Sequence, residues 1–148
     1  MRRARILLAV DSTAVARQLR MLLANVFDVS GFVDDGLAVR QAYEHLRPDV
    51  LVSDISMPGL DGIQAAERLQ EEFGPLHIVF VTVHADAALV ARAMALGRCG
   101  YVLKPDAGED LIAAVHSVLA GKPYVSSSIA RAMAAARPRN RRRHEGPV

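Results

Sequence analysis

The stretch Val50-Leu51-Val52-Ser53-Asp54-Ile55-Ser56-Met57-Pro58-Gly59-Leu60-Asp61-Gly62 decides the fold. An apolar run stops abruptly at an acid, a Pro-Gly turn follows, and a helical pattern begins near Gly62. Read together, these are a buried strand that carries a carboxylate to the rim of a sheet, a loop, and a helix. Holding a carboxylate at the tip of a buried strand costs desolvation, so partners for Asp54 are to be sought at the ends of neighbouring strands.

Residues 5–10, 49–54, 77–82 and 100–103 are short runs rich in Ile, Val and Leu. They lack strict alternation, as strands buried on both faces of a parallel sheet do. A weaker run, Asp28 to Val33, reads as a fifth strand at an edge, interrupted by Ser30 and Gly31. Between the runs lie helical patterns. Val15, Leu19, Leu22, Leu23 and Val26 share one helix face. Leu37 to Leu46 and Ile63 to Phe73 form two more helices, closed by Pro48 and by Gly74-Pro75. Asp86 stands where a fourth helix needs a cap, with Gly97 at its end. Leu111, Ile112, Val115, Val118 and Leu119 make the cleanest stripe, ending at Gly121. Five strands alternating with five helices predict an α/β, doubly wound parallel sheet.

The 148 residues fit one domain with a real core, placed at 1–121. No apolar run approaches the roughly 18 residues of a membrane span, and Ile6 to Val10 is too short for a signal-peptide core. A cytoplasmic protein without membrane contact is expected. The single cysteine, Cys99, agrees with a reducing compartment and reads as a small buried filler. Residues 1–121 carry 11 Lys/Arg against 15 Asp/Glu, whereas 122–148 carry 7 against one. A mildly acidic domain therefore bears a basic tail. In that tail Pro123-Tyr124-Val125 looks extended, Ser126-Ser127-Ser128 can cap a short helix from about Ile129 to Arg137, and Pro138 stops it. Residues 139–148 hold no apolar content to pack, and disorder is expected there.

In an open parallel sheet, ligands bind beyond the carboxyl ends of the strands, where the strand order reverses. Asp11, Asp54, Thr82 and Lys104 fall at the ends of strands one, three, four and five. In the order 2-1-3-4-5, one of the two common ones for such sheets and not read from these residues, Asp11 and Asp54 stand on neighbours about 4.8 Å apart and share a pocket. Two close carboxylates call for a cation, and oxygen ligands open to water suit Mg²⁺. Thr82 adds a hydroxyl and Lys104 an ammonium, a phosphate-binding arrangement around Asp54 as nucleophile. Each residue alone has a plainer use. Asp11 or Asp54 can cap a turn, Thr82 can simply end a strand, and Lys104 can be a solvated charge. Their recurrence at four strand ends favours function. Asp61 reads as a loop or cap residue rather than a ligand. The five histidines show no metal spacing, and His84 reads as a loop residue.

The loop from Asp54 to Gly62, with Thr82-Val83-His84-Ala85 and Gly100-Tyr101-Val102-Leu103-Lys104-Pro105, closely resembles the motifs of two-component response-regulator receiver domains, in order and spacing. Together with Leu119-Ala120-Gly121-Lys122-Pro123-Tyr124-Val125-Ser126, it looks most like the NarL/FixJ branch, without that branch's helix-turn-helix output domain. The resemblance covers about residues 5–121 and implies a flavodoxin-like (βα)5 fold. It implies that Asp54 accepts a phosphoryl group from a histidine kinase or phosphotransfer protein, with Mg²⁺ held by Asp11, Asp54 and the Ser56 backbone carbonyl. Lys104 would contact the phosphoryl group, Thr82 would move to bond it, and Tyr101 would follow as the switch aromatic. Lys104-Pro105 is often cis in such domains. The surface of about residues 86–121 would then meet a downstream protein, with homodimers common. Such a domain is a phosphoacceptor rather than an enzyme, with at most slow self-catalysed phosphotransfer and dephosphorylation. Nucleic acid is not an expected partner without an output domain.

The chain departs from the family at Val10-Asp11-Ser12, where two adjacent acids are usual. Two registers fit. In one, favoured by the strand and helix patterns, Asp11 is the direct metal ligand and Val10 replaces its neighbour; in the other, favoured by Arg17, Ser12 replaces the direct ligand. Losing an outer-shell acid lowers metal affinity about 10–100-fold. Two other functions stay open at this point: a phosphorylation-independent interaction module, and the receiver fragment of a DNA-binding regulator. The basic run Arg137 to Arg143 can grip phosphates or an acidic partner, or be merely solvated.

Overall fold

The computed structural model describes residues 3–57 and 61–135. Its strands are β1 (Arg5–Ala9), β2 (Asp28–Val33), β3 (Val50–Ser53), β4 (Ile78–Thr82), β5 (Cys99–Leu103) and β6 (Tyr124–Val125). They form one parallel sheet in the order β2-β1-β3-β4-β5-β6. The expected order 2-1-3-4-5 is present, and a sixth, two-residue strand extends it past Gly121. The helices are α1 (Thr13–Leu23), α2 (Gly36–Leu46), α3 (Gly62–Phe73), α4 (Ala87–Met94) and α5 (Ala107–Leu119). A 3-10 turn, Lys104–Asp106, links β5 to α5, and residues 127–135 are helical.

Side chains of the central strands alternate between two cores. Ile6, Leu8, Val52, Val79 and Val81 pack on the α1 and α5 side, while Leu7, Leu51, Ile78 and Phe80 pack under α2, α3 and α4. Both sets are fully buried, which is why these strands read as unbroken apolar runs. Each buried Val, Leu or Ile contributes about 1.5–3 kcal/mol by leaving water. β2 is an edge strand, and its irregularity is real. Ile6 pairs with Val29 but Leu7 with Gly31, so Ser30 is the extra residue. Cys99 is buried filler as expected, and burial pushes its thiol up to about 11.

Three acids and a serine end the loops. Ser12, Asp35 and Asp61 cap α1, α2 and α3 through bonds from Val15, Leu37 and Gln64. Asp86 holds the N-cap position of α4 but makes no side-chain cap bond. Three expectations need correction. α1 stops at Leu23, so Val26 lies beyond the helix and is 36% exposed. α4 stops at Met94, and Gly97 takes its positive φ in the turn that follows. Lys104-Pro105 is trans, with Pro105 inside the 3-10 turn. The Pro58-Gly59 turn, the helix end near Arg137, and the basic tail to Val148 lie outside the described residues.

Candidate functional site

β3 ends at Ser53, and the next amide, Asp54 N, donates to Ala9 O at 2.8 Å, so the strand tip is tied to β1. Asp54 is only 4% exposed. Its Oδ1 accepts from Ile55 N at 2.7 Å and Ser56 N at 3.3 Å, and its Oδ2 accepts from Lys104 Nζ at 3.0 Å. The carboxylate is thus held by two amides of its own loop and one ammonium from β5's end, each bond strengthened by charge. The Ser53 hydroxyl donates to the carbonyl of Asp54 at 2.8 Å.

Gly62 closes the loop behind this acid. Its N–H donates to Ile55 O at 2.5 Å, and a Cβ there would stand 2.0 Å from the Asp54 carbonyl oxygen. Only glycine lets α3 start so close to the strand tip.

Thr82, fully buried at the end of β4, accepts from His84 N at 3.2 Å. Tyr101 is also fully buried, and its hydroxyl donates to His84 O at 2.7 Å. Burial, helped by the nearby charge of Asp86, pushes that phenol up to about 12. The imidazole of His84 reaches the other way and shares a hydrogen bond with the Ser56 hydroxyl, 3.0 Å apart. His84 therefore connects the Asp54 loop, Thr82 and Tyr101, a role its loop position did not announce. The one signal was its place two residues beyond a strand-end threonine.

At the end of β1, Val10 is fully buried in the core on the α1 side and Asp11 is exposed at the rim. Ser12 is engaged as the α1 cap, its Oγ accepting from Val15 N at 3.3 Å. Asp11 is thus the carboxylate available beside β3, since Ala9 pairs with Ser53. Asp11, Asp54 and the Ser56 carbonyl offer oxygen only, the hard donors that suit Mg²⁺. No group of three His, Cys, Asp or Glu side chains able to hold a metal occurs among the described residues. Two carboxylates, a carbonyl and water still fit that ion, which needs no larger protein cage. Among the described residues, no helix is long and apolar enough to cross a membrane.

The family model for the response regulator receiver domain matches residues 6–116. The chain is 30% identical over 132 residues to the response regulator UvrY of Escherichia coli K12, covering 87% of this chain but 60% of that protein. It is 34% identical over 145 residues to the transcriptional regulatory protein FixJ of Bradyrhizobium diazoefficiens, covering 93% of this chain and 70% of that one. Among solved structures it resembles a LuxR-family two-component response regulator from Aurantimonas sp. SI85-9A1, with a TM-score of 0.84 at 29% identity over 91% of this chain and 98% of that one. The isolated REC domain of RcsB from Salmonella enterica serovar Typhimurium, solved with phosphomimetic BeF₃⁻, gives 0.79 at 28% identity, covering 87% and 97%. The chain spans about 60% of the length of UvrY, so it corresponds to the receiver part of such relatives. The chain belongs to the response regulator receiver domain family of two-component signalling, in its NarL/FixJ branch.

Proposed function

We propose that Asp54 is the phosphoacceptor of this receiver. The observation that carries the proposal is a carboxylate 4% exposed, at a strand tip, with the Lys104 ammonium 3.0 Å from Oδ2. A carboxylate oxygen attacks the phosphorus of a donor phosphohistidine. The P–N bond breaks as the P–O bond of the acyl phosphate forms, and the donor imidazole leaves with the electron pair and takes up a proton. Lys104 offsets the negative charge gathered on the phosphoryl oxygens, and the amides of Ile55 and Ser56 hold the carboxylate in place. Receiver domains are not themselves classical enzymes.

Receiver domains generally bind Mg²⁺ in their acidic pocket. Here Asp11, Asp54 and the Ser56 carbonyl would hold it, and the ion would supply further charge neutralisation at the phosphoryl group. Val10 leaves the site with one acid fewer than usual. Thr82 and Tyr101 are the switch pair, coupled through His84, whose backbone bonds both. Response regulators interact with histidine kinases and can dimerise. A histidine kinase or phosphotransfer protein is the donor we assign, and a protein meeting part of residues 86–121 is the recipient of the signal.

Incubation with Mg²⁺ and a small phosphodonor, followed by intact mass measurement, tests the assignment. One phosphoryl adduct is expected, absent from Asp54→Ala. No adduct on the wild type, or an undiminished one on the variant, overturns it.

A further inference from the structure

Past α5 the chain returns to the sheet as β6 and then runs as the helix 127–135 beside α4. Ser126 N donates to Tyr101 O at 2.9 Å and Ser126 Oγ accepts from Leu103 N at 3.2 Å, so β5 is no longer an edge. Two carboxylates fasten this return. Asp110 accepts from Tyr124 Oη at 2.6 Å and from Ser127 N and Oγ at 3.1 Å each. Asp106 accepts from Ser128 N at 3.2 Å and Ser128 Oγ at 2.8 Å. Every one of these five bonds joins the start of α5 to residues 124–128.

Beyond that latch the helix is weakly held. Ile129 is 4% exposed, but residues 130–135 are all exposed. Between the helix and α4 a cavity of ≈ 360 Å³ stays open, lined by Val90, Ala91, Met94, Leu103, Ile129 and Met133 among others. The described turns, 127–135, bury little apolar surface, and a segment with few buried apolar contacts opens at low cost. When it lifts, Asp106 and Asp110, at the start of α5, exchange their bonds to residues 124–128 for bonds to water.

Lys104 links the latch to the site. Its ammonium holds Asp54 at 3.0 Å while its backbone begins the turn that ends at Asp106. We propose that residues 124–135 are a latched strap over the α4–β5 side of the sheet, which opens as a unit while the core stays folded, and that phosphorylation of Asp54 releases it through Lys104. The release rests on the phosphoacceptor assignment; the strap itself does not. A phosphoryl group draws the ammonium outward from Asp54, shifts the turn, and loosens Asp106 from Ser128. The face thus covered belongs to the region assigned to the downstream partner, so the strap keeps it unavailable until the signal arrives.

Hydrogen exchange by mass spectrometry on the full 148-residue chain tests both parts. In the wild type, peptides over 122–135 are expected to exchange at least tenfold faster than those over β3 and β4. Asp110→Asn and, separately, Ser128→Ala should speed 122–135 further and leave β3 and β4 unchanged. Strap and core exchanging together in the wild type overturns the strap, as does exchange at 122–135 that neither variant alters. If Asp110→Asn unfolds the whole chain, Ser128→Ala and the wild-type comparison decide. With Mg²⁺ and BeF₃⁻, bound fluoride is read by ¹⁹F NMR on the same sample. Fluoride bound with exchange at 122–135 at least threefold faster supports the release; fluoride bound with that exchange unchanged overturns it. No bound fluoride overturns the phosphoacceptor assignment and the release with it, while the strap is judged by the variants alone.

Discussion

Lys104 and Asp54 lie fifty residues apart in the chain and meet at 3.0 Å between Nζ and Oδ2, the ammonium partly exposed and the carboxylate not. Replacing Lys104 with Met keeps the side-chain stem and removes the charge. Asp54 then retains its two loop amides but loses its counter-ion, at a cost of about 1–3 kcal/mol. Asp54→Asn needs no counter-ion. The double variant should therefore recover most of the loss, a coupling of about 0.5–3 kcal/mol in a urea-denaturation cycle. Additive single effects would mean that the pair contributes nothing to stability.

Gly62 makes a stricter demand. Because a Cβ there would meet a backbone oxygen at 2.0 Å, no rotamer change relieves it. Gly62→Ala should cost at least about 2 kcal/mol in thermal or urea unfolding. It should also reduce phosphoryl adduct formation, since the atom displaced is the carbonyl of Asp54 itself. A variant as stable as the wild type would show that the start of α3 can shift freely.

The strand-end residues were legible in the sequence for a physical reason. Buried parallel strands are mostly apolar, so the polar residues that close each run mark the sheet rim, and Asp54 (after Ser53), Thr82 and Lys104 stand there. The capping acid Asp61 was equally close in sequence to the helix it starts, whereas Asp35, as close to α2, was not singled out. The strap was not legible as part of the sheet. β6 is two residues long and has no periodicity to detect, and Asp110 lies 14 and 17 residues from its partners Tyr124 and Ser127. Ser126 to Ser128 read as a cap, which places them on a helix without showing what they hold. Arg47 is another such case. It ends α2 at φ 45, where glycine is usual, and its guanidinium lies 4.6 Å from the Phe73 ring centroid, a tertiary contact that no local pattern encodes.

All three tyrosines should titrate above the ordinary phenol, and Tyr101 and Tyr124 well above it. The bond to Asp110, with burial, raises Tyr124 to about 12; burial, with Asp86, raises Tyr101 to about 12; burial also raises Tyr43. A raised folded value stabilises the protonated form. That stability is present below the ordinary value of 10.0 and is lost as pH rises through about 12. At pH 10.0 the tyrosinate absorbance of the native protein should lag well behind that of the protein in urea, because Tyr101 and Tyr124 are still protonated. Coincident curves would mean that Tyr101 and Tyr124 are not shielded from water as the structure has them.

Tyr101→Phe isolates that bond. The ring keeps its place in the core, but the carbonyl of His84 loses its donor, so about 0.5–1.5 kcal/mol of stability should go. Because Thr82 Oγ1 accepts from the same residue's amide, the His84 loop should loosen, visible as faster exchange in peptides over 83–86. Unchanged exchange there would mean that Thr82 and Ser56 hold the loop without the Tyr101 bond.

At the other end of the pH scale the two latch carboxylates set the outcome. Burial works to raise both, but Ser128 and Ser126, with the charge of Arg131, together outweigh it at Asp106, and the bonds from Tyr124 and Ser127 outweigh it at Asp110, so both lie below the usual 3.8. A lowered folded value means that the stabilisation is complete above the unfolded value and lost as pH falls through the folded one. Wild type should therefore exceed Asp110→Asn in urea stability at about pH 5, with the gap closing as pH drops below about 3.8. In exchange experiments, residues 122–135 of the wild type should come to resemble the variant over the same acid range, before β3 and β4 do. A gap that persists unchanged to about pH 2 would show that Asp110 supports the strap by packing rather than by its charge.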